Sequence, residues 1–109
     1  MAGPHTKEEA LRWIQDCLRD GRYIPAMHFQ ERLIERDFIM ADVRHAIENS
    51  ESIEPYVRGE AVNGGTAWRI VGQNVDGHRS VAVGIEAFDH KRRRRICLCT
   101  VFDPTKEKP

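Results

Sequence analysis

The sequence predicts an α+β fold in which N-terminal helices pack on one face of a four-stranded antiparallel sheet. Apolar residues recur at helical spacing up to about residue 50 and then alternate with polar ones from residue 52 onward. Turn signals at Asn63-Gly64-Gly65 and Asp76-Gly77 separate the alternating segments. Helices followed by consecutive strands are typical of an α+β layout with the helices on one side of the sheet.

Three segments carry the helical spacing: residues 6–20, 26–36 and 41–49. Thr6 and Glu9 form a capping-box pattern at the start of the first, and Gly21 follows its end. Residues 22–25 are predicted to be a connector. Met40 stands at the start of the third helix, where a serine or threonine would be a better cap.

Four segments have strand character: residues 53–58, 66–75, 79–88 and 94–102. Pro55 cannot donate a hydrogen bond to a neighbouring strand, so the first strand is expected at an edge of the sheet. Residues 89–93 are predicted to form the last turn. Strict alternation along the last strand puts four residues on one face: Ile96, Leu98, Thr100 and Phe102.

Length and charge narrow the class of protein. The 109 residues make one domain, with an extra N-terminal helix in 1–21, a core in 22–104 and a polar tail at 105–109. Seventeen basic residues balance seventeen acidic ones, so the chain is not the strongly basic domain typical of nucleic-acid binding. The charges are nevertheless separated, with a net charge of −4 in residues 1–60 and +4 in residues 61–109.

The cysteines and the polar N-terminus indicate a cytoplasmic protein. No segment approaches the roughly 18 apolar residues of a membrane span, and no secretory signal is present, so no membrane partner is expected. An odd number of cysteines suits a reducing compartment. Cys97 and Cys99 are expected to share one face of a strand, where two such neighbours are poorly placed to bond each other. A zinc site prefers two or more intervening residues and further ligands nearby, so they are predicted to be small buried residues. No metal and no cofactor is expected.

The segment around His28 carries the chemistry that the residues suggest most directly. His28, Arg32 and Arg36 are four residues apart and drift only about 40° per step around a helix, so they share a face. An imidazole transfers protons near neutral pH, and guanidinium groups hold phosphate. These residues could therefore cleave a phosphodiester without a metal. Alternatively, they form a solvated helix face on which Glu31 and Glu35 neutralise the arginines.

A run of five basic residues is the second candidate site: Lys91, Arg92, Arg93, Arg94 and Arg95. Such a run can follow a nucleic-acid backbone. It can equally be a solvated hairpin turn whose charges keep neighbouring strands from aggregating. Among the aromatic residues, Trp68 shares a strand face with Ile70 and is expected in the core. Tyr56 shares its face with Glu54 and Arg58, which makes that face more accessible to solvent, so Tyr56 is the better candidate for stacking or proton transfer.

The order of short motifs resembles the small bacterial family known as domain of unknown function 4258. The motifs are His28 with Glu31-Arg32 and Glu35-Arg36, Asp42-Val43 with Ala46-Ile47, Ile53-Glu54-Pro55-Tyr56, and Cys99-Thr100-Val101-Phe102. The resemblance covers about residues 24–104. The family is grouped with RelE-like and barnase-like toxin nucleases, which implies helices on a four-stranded antiparallel sheet and a metal-independent endoribonuclease paired with an antitoxin.

Position by position, the resemblance implies that five residues are catalytic: His28, Arg32, Arg36, Tyr56 and Thr100. His28 would be the general base or acid, and the two arginines would hold the phosphate. Thr100 would bind the phosphate or orient His28. The sequence departs from the family pattern at Leu33, where methionine is usual, at Met40, and at Phe102, which lacks the hydroxyl of the usual closing tyrosine.

Three hypotheses follow from the sequence. The first is an RNA-cleaving enzyme of the toxin type, with RNA as substrate and a cognate antitoxin as partner. The second is a non-catalytic module that binds nucleic acid through residues 91–95. The third is a protein-interaction domain that uses the acidic helical half of the chain.

Overall fold

The computed structural model describes residues 3–59 and 61–106, so the last three residues of the predicted tail lie outside the described part of the chain. These residues form three helices and a five-stranded sheet. In chain order the elements are α1 (Lys7–Arg19), β1 (Tyr23–Pro25), α2 (Met27–Glu35), α3 (Met40–Glu48), β2 (Ser52–Pro55), β3 (Thr66–Gln73), β4 (Ser80–His90) and β5 (Arg93–Phe102). The α+β class is confirmed, but the sheet differs from the predicted four antiparallel strands.

The sheet is mixed, with strand order β1-β5-β4-β3-β2. Strand β1 pairs in parallel with β5, whereas the other neighbours are antiparallel. The prediction of a connector at residues 22–25 is therefore wrong. Three residues are too few to show alternation, and β1 is defined by its pairing with a strand more than 70 residues later (Tyr23 with Ile96). Strand β2 lies at the other edge, as Pro55 predicts.

The hydrophobic core lies between the helices and one face of the sheet. Helix α1 contributes five buried residues, including Trp13, Ile14 and Leu18. It packs against the sheet and α3, so it is an integral part of the core. Trp68 and Ile70 are buried in the same core, as predicted. A side-chain carbon at Gly72 would come within 2.6 Å of the Ala46 carbonyl oxygen, so glycine is what lets α3 approach β3 closely.

Local hydrogen bonds fix where the helices begin. The Thr6 hydroxyl accepts a hydrogen bond from the Glu9 N–H at 3.1 Å, which confirms one half of the predicted capping box. The Glu9 carboxylate accepts from the N–H of His5, one residue earlier than the motif predicts. At α3 the Asp42 carboxylate accepts from the backbone N–H of Ile39, which supplies the cap that Met40 lacks.

Strand β5 contains a bulge that reverses its faces. Leu98 pairs with Ile85 and Thr100 with Gly84, so Cys99 is an extra residue with no partner in β4. Before the bulge, Ile96 and Leu98 face the core. After it, Val101 takes the core side, whereas Thr100 and Phe102 line a pocket on the opposite face. The predicted common face for Ile96, Leu98, Thr100 and Phe102 is therefore wrong, because alternation fails at a bulge.

The turn between β4 and β5 is shorter than residues 89–93. Strand pairing continues to His90 and Arg93, which leaves only Lys91 and Arg92 in the turn. Both have positive φ, 53° and 64°, as the two central residues of a tight hairpin require. Two non-glycine residues in this conformation are costly, and no asparagine or glycine marks the turn in the sequence.

Candidate active site

A pocket of about 510 Å³ opens on the face of the sheet opposite the core. Its volume is within the range of small-molecule sites. The lining residues come from the α2 segment, the segment after β2, and β5: Ala26, His28, Arg32, Arg36, Tyr56, Arg58, Gly59, Val62, Cys97, Cys99, Thr100 and Phe102. All five residues predicted to be catalytic are among them. The described lining includes three arginines and no carboxylate, so the pocket favours an anion.

Helix α2 brings three of these residues together. It follows β1 directly and packs against β5, with Phe29 fully buried in the core. His28, Arg32 and Arg36 project from the pocket side, one helical turn apart, as their spacing predicts. Arg36 lies at the end of α2, and its Nη1 donates to the carbonyl oxygen of Val101 at 2.8 Å, which ties it to β5.

The sequence also allows an alternative for this helix face, a solvated surface on which glutamates neutralise the arginines. The structure shows such neutralisation at Arg32. Arg32 Nη1 donates to both carboxylate oxygens of Glu35, at 2.6 and 2.7 Å. The face itself is the wall of a pocket, however, and the Arg32 side chain is only 28% exposed. Arg32 is one of three arginines that line this pocket, with Arg36 and Arg58.

Arg79 supports the C-terminal end of α2. Its guanidinium stacks 3.9 Å from the centre of the Phe38 ring. Nη2 donates to the carbonyl oxygen of Arg36, and Nη1 donates to that of Asp37, both at 3.0 Å. A cation on the last carbonyls of a helix is favourable, and here it fixes the backbone from which Arg36 extends.

Tyr56 lies just beyond β2, in a turn and not in the strand predicted for residues 53–58. Its N–H donates to the Ala67 carbonyl oxygen, and its own carbonyl accepts from Gly59. The ring covers Gly84 of β4, where a side-chain carbon would come within 2.7 Å of the Tyr56 Cε2 atom. Burial raises the pKa of the Tyr56 hydroxyl, although the guanidinium groups of Arg69 and Arg58 oppose it. The phenol therefore keeps its proton at neutral pH.

A buried carboxylate holds the segment that follows Tyr56. The Glu86 side chain is fully buried in β4 and accepts hydrogen bonds from the Asn63 N–H, the Asn63 side-chain amide and the Gly65 N–H, at 2.9 to 3.2 Å. These bonds attach the loop to the sheet, and the loop supplies Val62 to the pocket wall. Glu86 thus shapes the pocket without lining it, a role that its place in an alternating strand does not reveal.

Thr100, Cys97 and Cys99 line the pocket from β5. The bulge turns Thr100 toward the pocket, where its Cγ2 atom lies beside Gly84 and Tyr56. Cys97 and Cys99 are half-buried in the pocket wall, so the prediction that they are buried is wrong. The two cysteines lie on the same side of the strand, as their spacing predicts. Besides the two cysteines and Phe102, four lining residues were missed in the sequence analysis: Ala26, Arg58, Gly59 and Val62. Three of these lie in the segment after β2, which has no periodicity to follow.

The basic run at residues 91–95 does not line this pocket. Lys91 and Arg92 form the hairpin turn. The Arg94 guanidinium stacks 4.6 Å from the centre of the Trp13 ring, toward α1. Arg95, the next residue in the strand, is only partly exposed, and its Nε is buried with no hydrogen-bond partner. The run is thus divided between a turn and the two faces of a strand, which is less favourable for nucleic-acid binding than a single patch.

Within residues 3–59 and 61–106, no three histidine, cysteine or acidic side chains are grouped so that they could hold a metal ion. No helix in this part of the chain is long and apolar enough to cross a membrane.

No protein-family model, curated protein or solved structure matches the chain. The resemblance to domain of unknown function 4258 therefore stays a prediction carried by the sequence motifs.

Proposed function

We propose that the pocket cleaves RNA without a metal ion, by attack of a ribose 2′-hydroxyl on the adjacent phosphorus. One observation carries the proposal. His28, Arg32, Arg36, Tyr56 and Thr100 come from three separate segments of the chain and line one pocket. They supply a proton acceptor, two phosphate-binding cations and two hydroxyl groups, which are the groups that this reaction needs.

Roles follow from the chemistry of each side chain. His28 lies in the first turn of α2 with an exposed imidazole and takes the proton of the 2′-hydroxyl. Arg36 and Arg32 bind the phosphate and stabilise the charge that develops on the phosphorane. Tyr56, which holds its proton at neutral pH, donates to the leaving 5′-oxygen. The Thr100 hydroxyl hydrogen-bonds a phosphate oxygen.

The replacement of the family's closing tyrosine by Phe102 need not abolish this chemistry. Phe102 is 1% exposed, so it forms the floor of the pocket. Tyr56 provides a phenol on the same side of the sheet. The wider role proposed from the resemblance is that of a bacterial toxin nuclease held in check by a cognate antitoxin protein.

The test is RNA cleavage by the purified full-length chain in EDTA, with free structured RNA and with mRNA on ribosomes. We expect 2′,3′-cyclic phosphate ends. Replacing a general base costs about 10²- to 10⁴-fold in rate, and we expect a loss of this size in His28→Ala. Tyr56→Phe removes only the hydroxyl and should reduce the rate while leaving RNA binding unchanged.

His78→Ala is the matched control. His78 is exposed, lies in the β3–β4 turn and does not line the pocket, so its replacement should leave cleavage at the wild-type rate. Equal cleavage by His28→Ala and the wild type would overturn the assignment of His28. Failure of the wild type to cleave either RNA substrate would overturn the nuclease proposal. Binding without cleavage would then favour the non-catalytic alternative.

A further inference from the structure

Two thiols in the pocket have no part in the proposed RNA cleavage. Cys97 and Cys99 both line the pocket and are half-buried. Cys99 Sγ donates to the Cys97 carbonyl oxygen at 3.4 Å. Cys17, the third cysteine, is fully buried in the core. The chain therefore holds two cysteines that solvent can reach and one that it cannot.

The spacing of the two cysteines limits the bond that they can form. Residues two apart in an extended strand have Cα atoms about 6.6 Å apart. Disulfides span Cα separations up to about 6.8 Å. Cys99 is the extra residue of the bulge, where the strand bends. The pair is poorly placed to bond in a regular strand, as the sequence predicts, so a disulfide between Cys97 and Cys99 would be strained and readily reduced.

The surroundings of Cys97 favour its thiolate over that of Cys99. The neighbouring Cys99 thiol lowers the pKa of the Cys97 thiol, and so does the backbone N–H of Ala26 just before α2. Burial and the carboxylate of Glu86, which pairs with Cys97 across the sheet, oppose this effect without cancelling it. The Cys97 thiol and burial raise the pKa of Cys99. In the core, burial raises the pKa of Cys17 to about 11.

Other charged and titratable groups face the two thiols across the pocket. Helix α2 and the residue after it contribute His28, Arg32 and Arg36, and the segment after β2 contributes Tyr56 and Arg58. The three cations are of the sign that stabilises a thiolate, but the charge that acts on the pKa of Cys97 is that of Glu86, which opposes one. What favours oxidation at Cys97 is its partial exposure beside a second cysteine that can resolve the sulfenic acid.

We propose that Cys97 is a peroxide-reactive cysteine and that Cys99 resolves it as an intramolecular disulfide. The Cys97 thiolate attacks one oxygen of a peroxide, the O–O bond breaks, and the departing oxygen leaves as hydroxide or alkoxide and takes up a proton. Sulfur is oxidised by two electrons to a sulfenic acid. The Cys99 sulfur then attacks the Cys97 sulfur. An S–S bond forms, the S–O bond breaks, and hydroxide leaves as water with the proton of Cys99. Two external thiols reverse the change.

The test uses the reduced full-length chain, one equivalent of hydrogen peroxide and intact-mass measurement. The wild type and Cys17→Ser should lose the mass of two hydrogens and regain it with dithiothreitol. Cys99→Ser should instead gain the mass of one oxygen and react with dimedone at Cys97. Cys97→Ser should be unchanged at this dose. Circular dichroism of each variant establishes that it is folded.

A second readout is the rate of iodoacetamide labelling at neutral pH. Trypsin separates the peptide of residues 96–106, which carries Cys97 and Cys99, from that of residues 13–19, which carries Cys17. Cys97 should label at least about tenfold faster than Cys17. Faster labelling of Cys99, disulfides between two copies of the chain, or oxidation of Cys17 at the same dose would overturn the proposal. These readouts do not involve RNA, so either proposal can fail without the other.

Discussion

The buried carboxylate of Glu86 gives the most direct test of how the pocket wall is held. Glu86 accepts hydrogen bonds from Asn63 and Gly65 through three donors, at distances between 2.9 and 3.2 Å. In Glu86→Gln the side chain keeps its shape, but one oxygen becomes an amide donor that points at other donors. At least two charge-assisted hydrogen bonds are lost, and Asn63 is exposed enough for water to replace part of them.

Hydrogen bonds to charged groups contribute about 1.5 kcal/mol or more each, so we expect Glu86→Gln to lower the free energy of unfolding by about 2 to 3 kcal/mol. For a domain of this size that is a fall of roughly 10 to 20 °C in Tm. Scanning calorimetry measures the change. Hydrogen exchange at the amides of Asn63 and Gly65 should accelerate more than exchange in β4, because the loop opens locally before the sheet does.

Glu54→Gln is the matched control for Glu86→Gln. Glu54 pairs with Lys7 at 2.9 Å, but both side chains are about half exposed. An exposed ion pair contributes less than about 1 kcal/mol, so this variant should unfold close to the wild-type temperature. If Glu86→Gln were as stable as Glu54→Gln and exchange at Asn63 and Gly65 were unchanged, Glu86 would not hold the loop.

Two further predictions concern β4 and the end of β5. In Gly84→Ala the new methyl group would lie 2.7 Å from the Tyr56 ring and 2.9 Å from Thr100 Cγ2, so we expect a loss of about 1 to 3 kcal/mol and altered NMR shifts of the Tyr56 ring. Wild-type ring shifts would contradict this packing. At Asp103, burial is the largest single effect and raises the pKa, but hydrogen bonds from the Thr105 N–H and hydroxyl outweigh it and hold the pKa below 3.8. A carboxylate whose pKa is lower in the folded protein than in the unfolded chain stabilises the fold when the pH is above the unfolded-state pKa. This stabilisation is lost as the pH falls through the folded-state pKa. Asp103→Asn should therefore be less stable than the wild type by about 1 to 2 kcal/mol near neutral pH. The difference in unfolding free energy should narrow below pH 3.8, and a constant difference would refute the assignment.

Local patterns in the sequence were sufficient to predict most of the elements. Helices α1 to α3 follow from apolar spacing, and each begins and ends within one or two residues of the predicted limits. Strand β1 could not be predicted, because its three residues are a strand only through their pairing with β5. The sequence also could not predict that Thr100 and Phe102 face the pocket and Val101 the core, since nothing around Cys99 distinguishes a bulge from regular alternation.

The candidate site was predictable in part for the same reason. His28, Arg32 and Arg36 share a face through local helical geometry, which the sequence contains. The convergence of Tyr56 and Thr100 with them depends on sheet order and on the bulge, and it was expected only from the family resemblance. The Glu86 contacts to the loop lie more than 20 residues away in sequence and have no local signature.

The single extra residue in β5 also has an evolutionary consequence. An inserted codon that is absorbed as a bulge leaves the pairing on both sides of it intact, because the extra residue takes no partner in β4. Thr100 therefore stays opposite Gly84 at the pocket and Val101 stays in the core, whether or not a residue is inserted before them. In sequences of this kind, a change in length can add a side chain to a surface while its neighbours keep their own faces.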